Sequence, residues 1–259
     1  MKIATWNVNS IKARLPNALD WLREAKPDIV LLQELKCVNE AFPAMEIEEL
    51  GYNLALNGQK TYNGVAILSK YPLEDIVTTL PGEPEDTQAR YIEAVVSVGK
   101  EAIRVVSVYV PNGQDPTSDK FPYKLRFMER LANHMETLLT YDEKLVVGGD
   151  YNVGHQDIDV FDAEILRGTT CFHPEEQKRF RTMLNLGFTD IWRSLNPTAK
   201  RFSWWDYRGG GYSKNEGLRI DYLLLSPRAV DAVRASGMDE DTRAKEKASD
   251  HIPVWCELS

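Results

Sequence analysis

Short, nearly continuous apolar runs recur along the chain, each ending in a polar residue at a turn. Lys2 to Trp6 reads as an opening strand. From Ser10 onward, Ile11, Leu15, Leu19 and Leu22 fall near one helical face, with Pro16 suited to a first turn. Asp28-Ile29-Val30-Leu31-Leu32-Gln33 then has the pattern of a strand buried on both faces, and it delivers Glu34 at its C-terminal end. Comparable runs span 64–68, 91–98, 103–110, 145–148 and 219–225. Between them, 123–139 sets Leu125, Met128, Leu131, Met135 and Leu138 at helical spacing, and 174–186 opens with Glu175 and Glu176 as a helical first turn should. Strands alternating with helices define an α/β class, in which sites gather at the C-terminal ends of buried strands.

Length and composition narrow this further. With 259 residues, 43% hydrophobic and 27% charged, the chain suits one domain over 1–259, and no repeat or linker interrupts it. The opening residues lack a secretory pattern, and no apolar run approaches the roughly 18 residues that span a bilayer, so the expectation is a cytoplasmic protein with no membrane contact. Cys37, Cys171 and Cys256 are odd in number and show no C-x-x-C pairing, which reads as reduced packing residues. The net charge of −8 argues against a partner held by bulk attraction to nucleic acid. It leaves room for a local basic rim, since fields decay over about 8 Å at physiological salt.

The chemistry concentrates in residues that follow a short apolar run or sit in a turn beside one: Asn7, Glu34, Tyr109, Asp150, Asn152, Asp221, Asp250 and His251. Phosphodiester hydrolysis needs a divalent ion against the phosphate charge, a group to prepare water, and donors for the developing oxyanion, and this set supplies all three. Glu34, directly after a buried strand, suits a hard ion such as Mg²⁺, although a solvated strand end fits the same position. Gly148-Gly149-Asp150-Tyr151-Asn152 predicts a sharp turn that aims Asp150 and Asn152 at one site, with a local Asx turn as the plainer reading. Asp250 adjoins His251, and Asp221 is available to orient that imidazole; His134, His155 and His173 read as structural. The Tyr109 phenol emerges at a loop, or is simply buried with one hydrogen bond.

Phe202-Ser203-Trp204-Trp205-Asp206-Tyr207-Arg208 runs into Gly209-Gly210-Gly211, joining stacking surfaces to a flexible loop. Such faces can hold an extruded sugar or base, with at least one of the two tryptophans reserved for the core. Lys36, Arg90, Lys120, Lys124, Arg126, Arg208, Lys214 and Arg219 are candidate phosphate contacts.

Taken together, these motifs resemble the exonuclease III and abasic (AP) endonuclease family of the wider endonuclease/exonuclease/phosphatase fold. The likeness rests on Trp6-Asn7, on 27–36 ending in Gln33-Glu34-Leu35-Lys36, on Gly149-Asp150-Tyr151-Asn152, on 215–226 with Arg219-Ile220-Asp221-Tyr222, and on Ser249-Asp250-His251. Asp157-Ile158-Asp159-Val160 resembles the bacterial branch. The resemblance implies two packed mixed β-sheets flanked by helices, a four-layer sandwich with the site at one edge. It implies Mg²⁺, with Mn²⁺ as a substitute, held among Asn7, Glu34, Asp150, Asn152, Asp250 and His251. By the same likeness Asp150 prepares water, Asn152 holds it or the phosphate, Asp221 orients His251, and Tyr109 and His251 stabilise the oxyanion. Arg90, Trp204, Trp205, Lys214, Leu218 and Ile220 are the expected substrate contacts, and the expected partner is duplex DNA with abasic sites or recessed 3′ ends; for the oligomeric state, monomer is the default expectation. Two departures, Asp190-Ile191-Trp192-Arg193 in the second signature and Leu218 where some members carry Trp, fall at the presumed sugar pocket. The competing readings are a phosphatase or sphingomyelinase-like member of the fold, and a catalytically silent RNA-binding regulator; the full set of site residues speaks against the latter.

Overall fold

Strands that are apolar on both faces need cover on both sides, and two stacked sheets with outer helices supply it. The computed structural model describes residues 1–99 and 101–259. In chain order the strands are β1 (Lys2–Asn7), β2 (Ile29–Gln33), β3 (Asn53–Asn57), β4 (Val65–Ser69), β5 (Leu73–Val77), β6 (Tyr91–Val98), β7 (Glu101–Tyr109), β8 (Lys144–Asp150), β9 (Thr189–Asp190), β10 (Trp204–Trp205), β11 (Gly217–Leu218), β12 (Asp221–Leu225), β13 (Val233–Met238) and β14 (Val254–Leu258). The helices are α1 (Leu15–Ala25), α2 (Ala44–Glu48), α3 (Lys120–Leu139), α4 (Ala163–Leu166), α5 (Pro174–Asn185), α6 (Ile191–Leu195), α7 (Gly211–Lys214) and α8 (Pro227–Val230), with short 3-10 turns between.

Sheet I has the order β13-β14-β1-β2-β4-β3, sheet II the order β5-β6-β7-β8-β12-β9, and β10-β11 forms a separate ribbon. Within sheets I and II only β1-β2 and β7-β8 pair in parallel among the described residues, because α1 and α3 carry the chain back across each sheet. Ile3, Ile29, Leu31 and Ile67 of sheet I pack against Ile92, Val105, Val146 and Leu223 of sheet II. The outer face of sheet I is covered through Trp6, Trp21, Leu22 and Ile47, and that of sheet II through Phe127, Met128, Leu131 and Phe180. The result is the four-layer arrangement expected from the sequence.

The sheets are also tied by a buried polar cluster beneath the site. Gln33 Nε2 donates to Thr5 Oγ1 at 3.0 Å and to Ser107 Oγ at 3.0 Å, and Ser107 Oγ donates to the Leu32 carbonyl at 2.9 Å. Hydrogen bonds that cross from one sheet to the other fix their relative slide, which an apolar contact alone does not do.

Two expectations change, and three strands were not foreseen. The first helix starts at Leu15, since Asn9 and Ser10 take left-handed φ values of 44° and 85° and cannot continue a helix. Gly148 and Gly149 do not form a turn; they lie inside β8. A Cβ on Gly149 would sit 1.9 Å from the Val108 carbonyl oxygen, and one on Gly148 2.6 Å from both Leu31 and Leu223 side chains, so the glycines permit close strand and sheet contact. Strands β3, β5 and β13 lack an apolar run because they are edge strands with half-exposed faces.

Candidate active site

Strand register brings the predicted residues to one edge of the sandwich. Tyr109 and Asp221 flank Asp150 directly across β7, β8 and β12, so the three side chains leave the same face of sheet II. Asn7 ends β1, and Glu34 follows β2 with φ of 53°. One oxygen each of Glu34 and Asp150 and one ring nitrogen of His251 all lie within 4.8 Å of one another. They line a cleft of about 250 Å³ whose polar side also includes Tyr109, Asn112, Asn152 and Asp250, and whose apolar side is Trp204, Leu218, Ile220 and Cys171.

Hydrogen bonds hold each group in place. The Asn7 amide donates to Glu34 Oε1 and to Asp150 Oδ2, both at 2.9 Å, while its oxygen accepts from the Asn9 backbone at 3.0 Å. Asp150 Oδ1 accepts from the Asn152 backbone at 2.9 Å, so the plain Asx turn and the site geometry coexist. Asn152, at φ of 50°, donates to the Val110 carbonyl at 3.0 Å and accepts from Asn112 at 3.1 Å. His251 Nδ1 meets Asp221 Oδ2 at 2.9 Å, and its Nε2 lies 3.7 Å from Asp150 Oδ2.

The electrostatics separate the two carboxylates. Burial raises Glu34, but Lys36 at 2.8 Å and the Asn7 amide more than offset it and hold Glu34 below the ordinary carboxylate range. Burial, reinforced by Asp221 and Glu34 and opposed by His251, pushes Asp150 up to about 7. Burial lowers His251, but Asp221 and Asp150 outweigh it and push the imidazole up to about 10. Burial, with Glu34 and Asp150 adding to it, holds the Tyr109 phenol well above its ordinary value, so it stays a donor. The Cys171 thiol is pushed up to about 12 by burial and offers no thiolate. A donor set dominated by carboxylate oxygens, without thiolate, fits a hard divalent ion.

Several assignments are corrected by placement. Asn7 is fully buried, and its NH₂ group donates to Glu34 and Asp150, which ties the two carboxylates together. Trp205 is core: it is 1% exposed, packs edge-on to Tyr212 and donates to Asn215, while Trp204 alone faces the cleft. Lys214 is exposed on α7 away from the cleft lining. Arg90 stands over the Tyr109 ring at 4.7 Å and lines the adjoining groove with Lys36 and Lys120. Lys124 and Arg219 are buried in ion pairs with Glu176 and Asp159, out of reach of any phosphate. Asp190 caps α6 and pairs with Arg219, so that departure belongs to the core, whereas Leu218 does line the cleft.

Other readings hold. All three cysteines are free and buried. His134 pairs with Glu93 and His173 caps α5. Three supporting residues had no assignment. Ser203 Oγ donates to Asp221 Oδ2 at 2.6 Å; Asn9 donates to Asp250 Oδ1 at 2.9 Å and accepts from Lys36; and Asn112 joins Asn152. The Trp204 indole also donates to Asp250, at 3.0 Å. The one hint in the chain was the polar residue set among aromatics at Phe202-Ser203-Trp204.

Comparison with known proteins gives the family. Residues 4–251 match the model of the Endonuclease/Exonuclease/phosphatase family. The chain belongs to this family of metal-dependent phosphodiester hydrolases, and within it lies among exonuclease III and AP endonuclease homologues. It is 36% identical to exodeoxyribonuclease III of Haemophilus influenzae over the full length of both chains. A variant of the 3′ phosphatase NExo from Neisseria, solved with a product DNA hairpin, superposes with a TM-score of 0.95 at 39% identity, covering 100% of this chain and 99% of that one. An AP endonuclease from Archaeoglobus fulgidus superposes with a TM-score of 0.94 at 36% identity, with the same coverage.

Proposed function

We propose that this protein is a DNA-repair nuclease that hydrolyses phosphodiesters 5′ to abasic sites and at 3′ ends of duplex DNA, using Mg²⁺ or Mn²⁺. The observation that carries it is the meeting of Glu34, Asp150 and His251 donors from both sheets beside an apolar wall of Trp204, Leu218 and Ile220. The wall suits a base-free sugar, which lacks the ring that would clash with it, and the donors suit the phosphate next to it. Carboxylates of Glu34 and Asp150, with Asp250 alongside, would hold the ion, which supplies charge compensation at the phosphate.

The chain's own groups account for the rest. Asp150, with a pKa raised toward neutrality, suits a base that takes a proton from water near pH 7. Asn152 fixes that water or a phosphate oxygen. Asp221 fixes the angle of His251 from Nδ1 and stabilises its cationic form, so that Nε2 faces the cleft as a donor to the phosphate. Tyr109 supplies a second, neutral donor to the oxyanion. Arg90, Lys36 and Lys120 on the adjoining groove suit flanking phosphates. The working unit is one domain and a monomer, placed in the cytoplasm; no helix among the described residues is long and apolar enough to cross a membrane.

A labelled-duplex assay comparing abasic, recessed and 3′-phosphate ends tests the reading. Cleavage of the abasic strand to a 3′-hydroxyl, lost with a chelator and restored by Mg²⁺, is expected. Absence of cleavage on every duplex with either ion, or equal turnover of inositol phosphates, overturns it.

A further inference from the structure

Lys124 and Glu176 stand out because a fully buried lysine and a fully buried glutamate sit beneath the cleft without touching it. Two charges removed from water are costly, so their retention calls for a use other than packing. Lys124 Nζ donates to the Asn152 carbonyl at 2.7 Å, to the Asn112 carbonyl at 3.0 Å and to Glu176 Oε1 at 2.6 Å, which uses all three ammonium protons. Glu176 in turn accepts from the Cys171 backbone at 3.2 Å and from the His173 backbone at 3.0 Å. Asn112, Asn152 and Cys171 come from three separate loops and all line the cleft. Gly113 adds an independent sign: at φ of 87°, its Cβ would stand 3.0 Å from Lys124 Cδ, so the loop rests directly on the lysine stem.

We propose that the Lys124–Glu176 pair is a positioning device for phosphodiester cleavage, a strut between α3 and α5 that sets the height of Asn112, Asn152 and Cys171 at the cleft. The main chain of Asn152 is held at both ends, its N–H by Asp150 and its carbonyl by Lys124, so its side chain has one direction in which to present itself. An ammonium suits this task better than a neutral donor, because one atom satisfies two carbonyls that would otherwise repel each other. The proposal rests on the nuclease reading for its kinetic consequence, and on geometry alone for its structural one.

The decisive variant is Lys124→Met/Glu176→Gln, which removes both charges together, so that no unpaired ion stays buried, and takes the shared donor away from the Asn112 and Asn152 carbonyls. The expected result is a folded protein whose KM for abasic duplex stays within about 3-fold while kcat falls about 100-fold, the scale set by a misplacement near 1 Å. Without substrate, the hydrogen-bonded side-chain amide protons of Asn112 and Asn152 should be protected from exchange in the wild type and exchange rapidly in the variant, as read by NMR. Wild-type kcat together with unchanged amide signals overturns the strut. Changed amide signals in a protein whose wild type cleaves no DNA overturn the nuclease reading instead and leave the strut standing. If the double variant does not fold, Glu176→Gln alone decides: a kcat lowered about 10-fold at steady KM supports the pair, and an unchanged kcat overturns it.

Discussion

The two parallel units β1-α1-β2 and β7-α3-β8 reach the cleft by the same route but hold their carboxylates in opposite settings. Glu34 leaves sheet I beside Lys36, partly exposed, and is held ionised. Asp150 leaves sheet II wholly buried, with Asp221 and Glu34 as neighbours, and is held near the point where it gains or loses a proton. Similar strand-end placement thus yields one carboxylate that stays ionised and one whose charge changes near neutral pH. Environment, set by the second turn of side chains around each strand end, divides the labour.

Breaking the sheet II side should cost the most. Asp150→Asn keeps an oxygen for the Asn152 backbone but removes the base, and kcat on abasic duplex should fall about 10⁴-fold while duplex affinity by fluorescence anisotropy stays within a few-fold. An Asp150→Asn protein of near-normal rate would erase the division drawn here. Asp221→Asn comes next, with kcat down about 10²–10³-fold; since Asp221 helps raise His251, the imidazole resonances followed by NMR should then titrate at lower pH than in the wild type. Glu34→Gln should act through the ion instead, raising the Mg²⁺ concentration for half-maximal rate about 10–100-fold with kcat largely recovered at saturation. The wild-type protein should also bind Mg²⁺ more weakly as pH falls, because a carboxyl that keeps its proton up to about pH 7 must lose it before it can take the ion. Calorimetry at pH 6 and 8 reads this, and equal affinities would contradict it.

What could be read from the chain alone follows the same division. Glu34, Tyr109, Asp150 and Asp221 were visible because each borders a two-faced apolar run, and register then places the last three side by side. The supporting shell was not visible. Ser203, Asn9 and Asn112 act across gaps of 18, 241 and 40 residues, distances at which no local pattern reports a hydrogen bond. Buried cations misled for a related reason: Lys124 and Arg219 carry the residue type of a phosphate contact, and only the positions of Glu176, Asp159 and Asp190 reveal that their charge is already matched. Trp204 and Trp205 are adjacent in a strand, so alternation sends one to the cleft and one to the core, yet which goes where depends on β11 alongside.

The smallest effect sharpens the contrast through the two lysines that serve these loops. Lys36 and Glu34 have side chains 29% and 16% exposed, against 0% for both members of the Lys124–Glu176 pair. Water and salt screen the first pair, so Lys36→Met should cost less than about 1 kcal/mol in urea unfolding of the metal-free protein, where orphaning Glu176 by Lys124→Met alone should cost about 3–5 kcal/mol. The pH dependence gives the sign. Glu34 is held below its ordinary value in the folded chain, so its pairing stabilises above the unfolded pKa and is lost as pH falls through the folded one. The gap between wild type and Lys36→Met should therefore narrow as pH falls below the ordinary carboxylate range, where Glu34 takes up its proton, and should shrink in high salt at neutral pH. A gap that persists in acid would mean that the Lys36 hydrogen bond to Asn9, not its pairing with Glu34, holds the strand end, since the Asn9 amide does not titrate.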